Sequence, residues 1–449
     1  MVKPSIYNFI WPAEQQDKVI VFNSMTTALI ELDKDCAAVL NKPGFALEEL
    51  SFGDRLLVAG LKEGGFVLDD EIDELQVLKF NYNRQKYDPG RMGLTIAPTM
   101  LCNFACTYCF EQPGEGDRRD GGHSIMPEPV RQELVDFVAR AAKNLKSLQV
   151  IWYGGEPLLA QDVIVELSEK FISLAAENNI AYSAYMVTNG YLADENRWTV
   201  QKLKENRIST IQVTLDGPPE VHNRRRMLKS GRGSTFERIL NNIKLLLSQG
   251  LAVHLRINVD RSNMENAEEL LDILEAENLK DIQNIYLGQV HADTAGCKSV
   301  ESSCATTEEF TRFSCAFHRT LAHRGFKAGR YPRSAVSCSA NYLNAFVIDP
   351  DGDMYKCWHE VGNKPLAVGN IAGFDKPRDR QQRMREIRWL TWEPFAYAGC
   401  LSCKLVPVCM GGCSYRAMHA GDNQPDCLEW KYGLEDYIKL RCRPTEMNQ

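Results

Sequence analysis

Long apolar runs are missing from this chain: none approaches the roughly 18 residues a membrane span needs. The opening residues, Met1-Val2-Lys3-Pro4-Ser5, lack the apolar segment and cleavage site of a secretory signal, so a cytoplasmic location is expected. A basic excess is missing too. The net charge of −7 leaves no electrostatic footprint for nucleic acid. No internal repeat or low-complexity tract is evident. With 449 residues the chain is too long for one ordinary core, and two or three domains are expected.

What the chain has is cysteine, fifteen of them. Disulfides are disfavoured in a reducing compartment, so this number points to metal rather than to covalent staples. Most of them fall into spaced groups. Cys102-x3-Cys106-x2-Cys109 supplies three thiolates where a closed [4Fe–4S] cluster takes four, leaving one iron open for chemistry. Half a zinc site, or buried thiols with no ligand role, are the plainer readings of three cysteines alone.

Strand and helix patterns alternate from Met92 to about Val290. Gly93–Ala97, Leu148–Tyr153, Tyr182–Val187, Ile211–Leu215, Val253–Val259 and Ile285–Gln289 read as six short buried strands. Helical patterns intervene at Pro129–Leu145, Val163–Glu177, Phe236–Ser248 and Ala267–Glu277. This alternation implies a parallel sheet with right-handed crossovers. Before it, Val19–Ser24 and Thr27–Leu32 suggest a hairpin, followed by helical patterns up to about Gln85. After it the chain becomes cysteine-rich and irregular.

The stretch Leu101-Cys102-Asn103-Phe104-Ala105-Cys106-Thr107-Tyr108-Cys109-Phe110, with an aromatic before its third cysteine, resembles the radical S-adenosylmethionine (SAM) superfamily. In that family the open iron chelates SAM, and an electron from the cluster cleaves it to methionine and a 5′-deoxyadenosyl radical. The fold class implied is α/β: a partial (β/α)6 TIM-like barrel, here over residues 89–307. Gly154-Gly155-Glu156-Pro157, after the second strand, resembles the family's GGE motif, which receives the SAM amino group. Thr188-Asn189-Gly190 and Thr214-Leu215-Asp216-Gly217 look like the strand ends that hold its ribose and carboxylate. Cofactor contacts are therefore expected from Gly154, Gly155, Glu156, Thr188, Asn189, Thr214 and Asp216, although turn residues and helix caps look the same. His222-Asn223-x2-Arg226 is similar to a family element with Asn in place of Asp, and Arg226 could equally be a surface charge. Asp216 and His254 are candidate bases by location only.

Downstream, Cys338, Cys357, Cys400, Cys403, Cys409, Cys413 and Cys427 match the spacing of the SPASM extension of peptide- and protein-modifying radical SAM enzymes. The resemblance assigns Cys338, Cys357 and Cys413 to a first auxiliary cluster and Cys400, Cys403, Cys409 and Cys427 to a second. Three [4Fe–4S] clusters and SAM are the cofactors so implied, and residues 308–449 the auxiliary-cluster domain. The first auxiliary set has three evident ligands. Either it is open, or Cys297, Cys304 or Cys315 completes it. Sulfatase maturases place a further cysteine where this chain has Pro332 and a proposed base where it has Trp358, which weighs against that activity.

Residues 1–88, a hairpin with packed helices, loosely resemble the winged-helix-like peptide-recognition domain of enzymes that mature ribosomally made peptides. A structural cap is the plainer alternative. The resemblance as a whole implies a maturase of a leader-bearing precursor peptide, of the ranthipeptide or sactipeptide type, forming cysteine sulfur-to-carbon thioether crosslinks. A reductant such as flavodoxin or ferredoxin is the expected partner, with no nucleic acid and no membrane. Carbon–carbon crosslinking, epimerisation, excision and sulfatase maturation are the enzymatic alternatives; a zinc-binding peptide scaffold is the non-enzymatic one.

Overall fold

The computed structural model describes residues 1–111, 124–194, 200–327, 330–334, 337–374, 379–419 and 424–442. The chain divides into two compact units. One comprises Met1–Lys86, Arg330–Cys338 and Trp392–Gln449; the other comprises Tyr87–Gly329 and Ser339–Thr391.

In the first unit, β1 (Val2–Pro4) is followed by an antiparallel meander of β2 (Asn8–Pro12), β3 (Lys18–Asn23) and β4 (Leu29–Asp33), and β5 (Val67–Asp69) returns to pair with β1. The helix Phe52–Glu63 starts at Ser51, whose hydroxyl accepts from the Asp54 N–H at 3.2 Å. Successive side chains of β3 point to opposite faces of the sheet. Val21 joins Val58, Leu61 and Phe66 in one core. Ile20 and Phe22 join Val408, Leu434 and Ile438 in another. The segment 1–88 therefore does not close on itself. A three-stranded sheet with apolar residues on both faces must cover both, and the C-terminal helix Trp430–Cys442 supplies Leu434 and Ile438 for the second cover.

The second unit is built on a nine-stranded sheet. Its parallel strands are β6 (Arg91–Ile96), β7 (Ser147–Trp152), β8 (Ala181–Val187), β9 (Ile208–Thr214), β10 (Ala252–Val259) and β11 (Asn284–Gln289), each paired with its neighbour in chain order. All six expected strands are present, displaced by at most a few residues at their ends. Three further strands were not expected: β12 (Ala345–Ile348), parallel to β6, and then β13 (Asp353–Tyr355) and β14 (Gly369–Asn370), both antiparallel. They continue the sheet past β6, whose backbone groups at that edge would otherwise lie unpaired. Segment 308–449 is consequently shared: residues 339–391 belong with the parallel sheet, 392–442 with the N-terminal strands. No helix among the described residues is long and apolar enough to cross a membrane.

Candidate active site

The first cysteine loop leaves the C-terminal end of β6, where the chemistry of parallel-strand folds gathers. It is held by pairing with a distant segment: the Ala105 N–H donates to Met227 O (2.8 Å), Thr107 N–H to Arg225 O (3.1 Å), and Lys229 N–H to Asn103 O (2.8 Å). Burial pushes the Cys102 and Cys109 thiols up to about 12 and raises Cys106; Cys102 and Cys109 also lie in the field of other thiols of the triplet, while Arg226 opposes the shift at Cys106. Three thiols so placed resist becoming thiolates without a cation, and a bound metal centre reverses that balance. Among the described residues no three His, Cys, Asp or Glu side chains converge closely enough to hold a single ion. Thiolates bound to separate irons of a cluster need no common point.

The Gly-Gly pair makes room for this loop. A Cβ on Gly155 would lie 2.2 Å from Leu101 O, and one on Gly154 2.5 Å from Thr99 O, with Gly154 at φ +108°. The close approach seen here is to the backbone of the cysteine loop. Glu156 is fully buried. Its Oε1 accepts from Leu158 N–H (3.0 Å) and the Thr188 hydroxyl (2.7 Å), and its Oε2 from Asn189 N–H (2.8 Å). This carboxylate fastens the end of β7 to that of β8. The Asn189 amide in turn donates to Asn103 Oδ1 at 2.7 Å, reaching back into the cysteine loop.

Asp216, the candidate base, is also fully buried. It accepts from the Tyr108 hydroxyl and from Asn258 N–H (3.0 Å), with Arg225 Nε at 3.5 Å. Tyr108 receives Arg226 Nη1 at 2.8 Å and Asn258 Nδ2 at 3.1 Å. Asp216 is a brace here, its carboxylate engaged by three partners. Arg226 is buried rather than a surface charge. His222 accepts from Asp216 N–H at 3.2 Å, and burial, aided by the two arginines, holds it well below the usual imidazole range and neutral. Thr214 is buried at the end of β9, in register with Arg256 of β10. His254 lies on the same face of β10 as Arg256, and burial lowers its pKa as well.

In the first unit, burial pushes Cys400 up to about 11, reinforced by Cys409, Cys403 and Cys427, so these four thiols share one neighbourhood. Lys431 Nζ stands 3.6 Å from Cys427 Sγ. Cys413, raised by burial, feels Cys338 of the same unit. Cys357 belongs to the second unit. It is buried, with His359 Nδ1 3.6 Å from its sulfur, and His359 Nε2 is 3.6 Å from Asp293 Oδ2. Phe110 packs edge-on to His359 at 4.8 Å, and Tyr153 lies 4.3 Å from Trp358.

The three spare cysteines are locally engaged or enclosed. Cys297 is fully buried and closes a helical cap with Thr294. Cys304 donates to Val300 O at 3.4 Å. Cys315 is buried in the helix Thr307–His323.

Arg225, Arg256, Asn258 and His359 escaped sequence reasoning. For β10 a signal was available: His254, Arg256 and Asn258 alternate with Val253, Leu255 and Ile257, a polar face on a strand otherwise destined for the core.

Comparison with known proteins bears on the same residues. Residues 96–275 match the Radical SAM superfamily. The chain is 24% identical over 369 residues to the cysteine-type anaerobic sulfatase-maturating enzyme of Clostridium perfringens, covering 77% of this chain and 94% of that one. It is 24% identical over 373 residues to the mycofactocin maturase MftC of Mycolicibacterium smegmatis, covering 78% and 86%. The structure of Streptococcus suis SuiB bound to precursor peptide SuiA shares the fold over 96% of this chain and 99% of that one, at 15% identity and a TM-score of 0.50. The family match falls on the strands and loops that gather the first cysteines and the polar strand ends: this chain is an enzyme that carries a radical SAM domain there, the kind of domain that uses a [4Fe–4S] cluster to cleave SAM reductively.

Proposed function

We propose that this enzyme matures a ribosomally made precursor peptide by joining a cysteine sulfur to a carbon of the same peptide. Cys102, Cys106 and Cys109 would hold the SAM-binding cluster, with Gly154, Gly155, Glu156, Thr188, Asn189, Thr214 and Asp216 shaping the SAM site. Cys400, Cys403, Cys409 and Cys427 would close one auxiliary cluster. Cys338, Cys357 and Cys413 would hold the other, with one iron left for the substrate thiolate. When bound, these groups supply the 5′-deoxyadenosyl radical that takes a hydrogen atom from carbon, and the acceptor for the electron left over. The substrate thiol gives up its proton, and the new bond is S–C.

The observation that carries this reading is the shortage of a fourth ligand for the first auxiliary set. Cys297 is spent on its cap, Cys304 donates to its own turn, and Cys315 is enclosed in a helix. Pro332 and Trp358 stand where sulfatase maturases have a cysteine and an acid. Docking of a leader peptide on residues 1–88 is supported by the antiparallel sheet there, since β2 and β4 are edges on which an extended peptide can add as a strand. The fold shared with peptide-bound SuiB extends over nearly the whole chain.

Similarity to the Clostridium perfringens enzyme favours sulfatase maturation as the second reading. Anaerobic reaction of reconstituted protein with SAM, a strong reductant and the precursor peptide, read by mass spectrometry, separates the readings. A loss of two hydrogens with fewer alkylatable thiols is expected. The same loss with every thiol still alkylatable would instead indicate carbon–carbon coupling, and conversion of a sulfatase-derived peptide alone would indicate the second reading.

A further inference from the structure

The central sheet is aliphatic on its outer face and polar on its inner one. On β10, Val253, Leu255 and Ile257 join the large apolar core, and His254, Arg256 and Asn258 alternate with them. Tyr185 of β8 and Tyr286 of β11 both donate their hydroxyls to Gln212 of β9, Tyr185 at 3.1 Å. Arg256 brings a half-buried cation into this lining.

Its guanidinium is held from one side. Nε donates to Asn258 Oδ1 at 2.7 Å. The group lies across β11 at Gly288, where a Cβ would fall 2.5 Å from Nε, 2.7 Å from Nη2 and 2.9 Å from Cζ. Glycine within a strand weakens it and marks a close approach, and the approach here is by this guanidinium. Among the described residues neither Nη1 nor Nη2 has a hydrogen-bond or ion-pair partner. A planar fork with both ends open, partly withdrawn from water, matches a carboxylate, which it binds through two parallel charge-assisted bonds. The position suits a ligand near the chemistry: Asn258, which orients Arg256, also donates to Tyr108 of the cysteine loop at 3.1 Å.

We infer that Arg256 is a carboxylate-binding site on the inner face of the sheet, seated by Asn258 and given its room by Gly288. Two ligands can bring that carboxylate: an acidic side chain or C-terminus of a peptide substrate, or SAM itself. The first rests on the function proposed above; the second does not.

Equilibrium binding to the reconstituted full-length enzyme tests this without turnover, so failure of the thioether chemistry would leave the readout intact. The probes are SAM, decarboxylated SAM, and, in the presence of SAM, N-acetylaspartate N-methylamide and its asparagine counterpart. The proteins are wild type, R256Q, R256K and G288A. If SAM is the ligand, the preference of wild type for SAM over its decarboxylated form falls roughly 10- to 100-fold in R256Q, the worth of a charge-assisted bond, down to whatever part the cluster iron supplies. If the peptide is the ligand, SAM binds R256Q as it binds wild type, and only the aspartyl probe distinguishes the two proteins. R256K retains part of either preference. G288A keeps the charge but displaces it, and is expected to follow R256Q in direction while retaining wild-type iron content and circular dichroism. Unaltered binding of all four probes by well-folded R256Q and G288A would overturn the site.

Discussion

Tyr108 gives its hydroxyl proton to Asp216 while accepting from Arg226 and Asn258, so one phenol ties the cysteine loop to the ends of β9 and β10. Arg225 lies over its ring at 4.9 Å. Tyr108→Phe keeps the ring and strands the buried polar partners. It is expected to cost about 1–3 kcal/mol in urea unfolding. Asp216→Ala strands both the Tyr108 hydroxyl and the Asn258 N–H, although Arg225 keeps Asp260 Oδ2 at 2.9 Å, and is expected to cost more, about 3 kcal/mol or above. A surface-like effect near zero in both variants would remove the brace from the account. His222 adds a pH dependence. Its folded-state pKa is depressed by burial, so the folded protein binds fewer protons than the unfolded chain below the ordinary imidazole value. Stability from this group is present above a pH of about 6.5 and is lost as pH falls from there. His222→Asn keeps an acceptor for the Asp216 N–H, and the urea midpoint of that variant is expected to fall less steeply with acid than that of wild type.

Loops and strands set how much of this could be read from sequence. The six parallel strands were legible because each is a short apolar run bounded by turn residues, with a helix pattern between. The cysteine groups proposed as ligands were picked out by their spacing alone. Ala345–Ile348 was not, since four apolar residues carry no period and its pairing with β6 joins segments some 250 residues apart. The partner of the cysteine loop was illegible for the same reason: Arg225–Lys229 lies more than a hundred residues away, and nothing local announces the contact. Arg226 within it could consequently be read equally as a family element or as a surface charge, and Arg225 drew no reading at all. The Gly-Gly pair was legible as a motif, but what it approaches was not. Gly155→Ala tests the observed approach, because its Cβ meets the backbone of Leu101 rather than a flexible side chain. The variant removes no cysteine, yet its reconstituted iron content and SAM affinity are both expected to drop. Wild-type values for both would show that the loop can move aside.

At the scale of the molecule, the chain's two ends form one body. Tyr7, Leu78 and Tyr82 share an apolar cluster with Phe395, Cys400, Val406 and Met410. Lys404, between two cysteines of the proposed second auxiliary set, donates to Asn8 O at 3.1 Å, and its own carbonyl accepts from the Ser24 hydroxyl at 2.5 Å. The sheet proposed to receive the peptide is therefore bonded to the segment that carries four of the cysteines. Cys427→Ala, which removes a ligand far along the chain, is expected to speed amide exchange across Lys18–Asp33. Exchange there at the wild-type rate, with that cluster lost, would show the sheet to be independent of it. The account rests above all on the first cysteine triplet. The direct measurement is 5′-deoxyadenosine released anaerobically from SAM by reductant-treated enzyme of verified iron and sulfide content, beside Cys106→Ala. The expected result is 5′-deoxyadenosine from wild type and none above background from the variant. No product from the fully loaded wild type, or equal product from both, would contradict it.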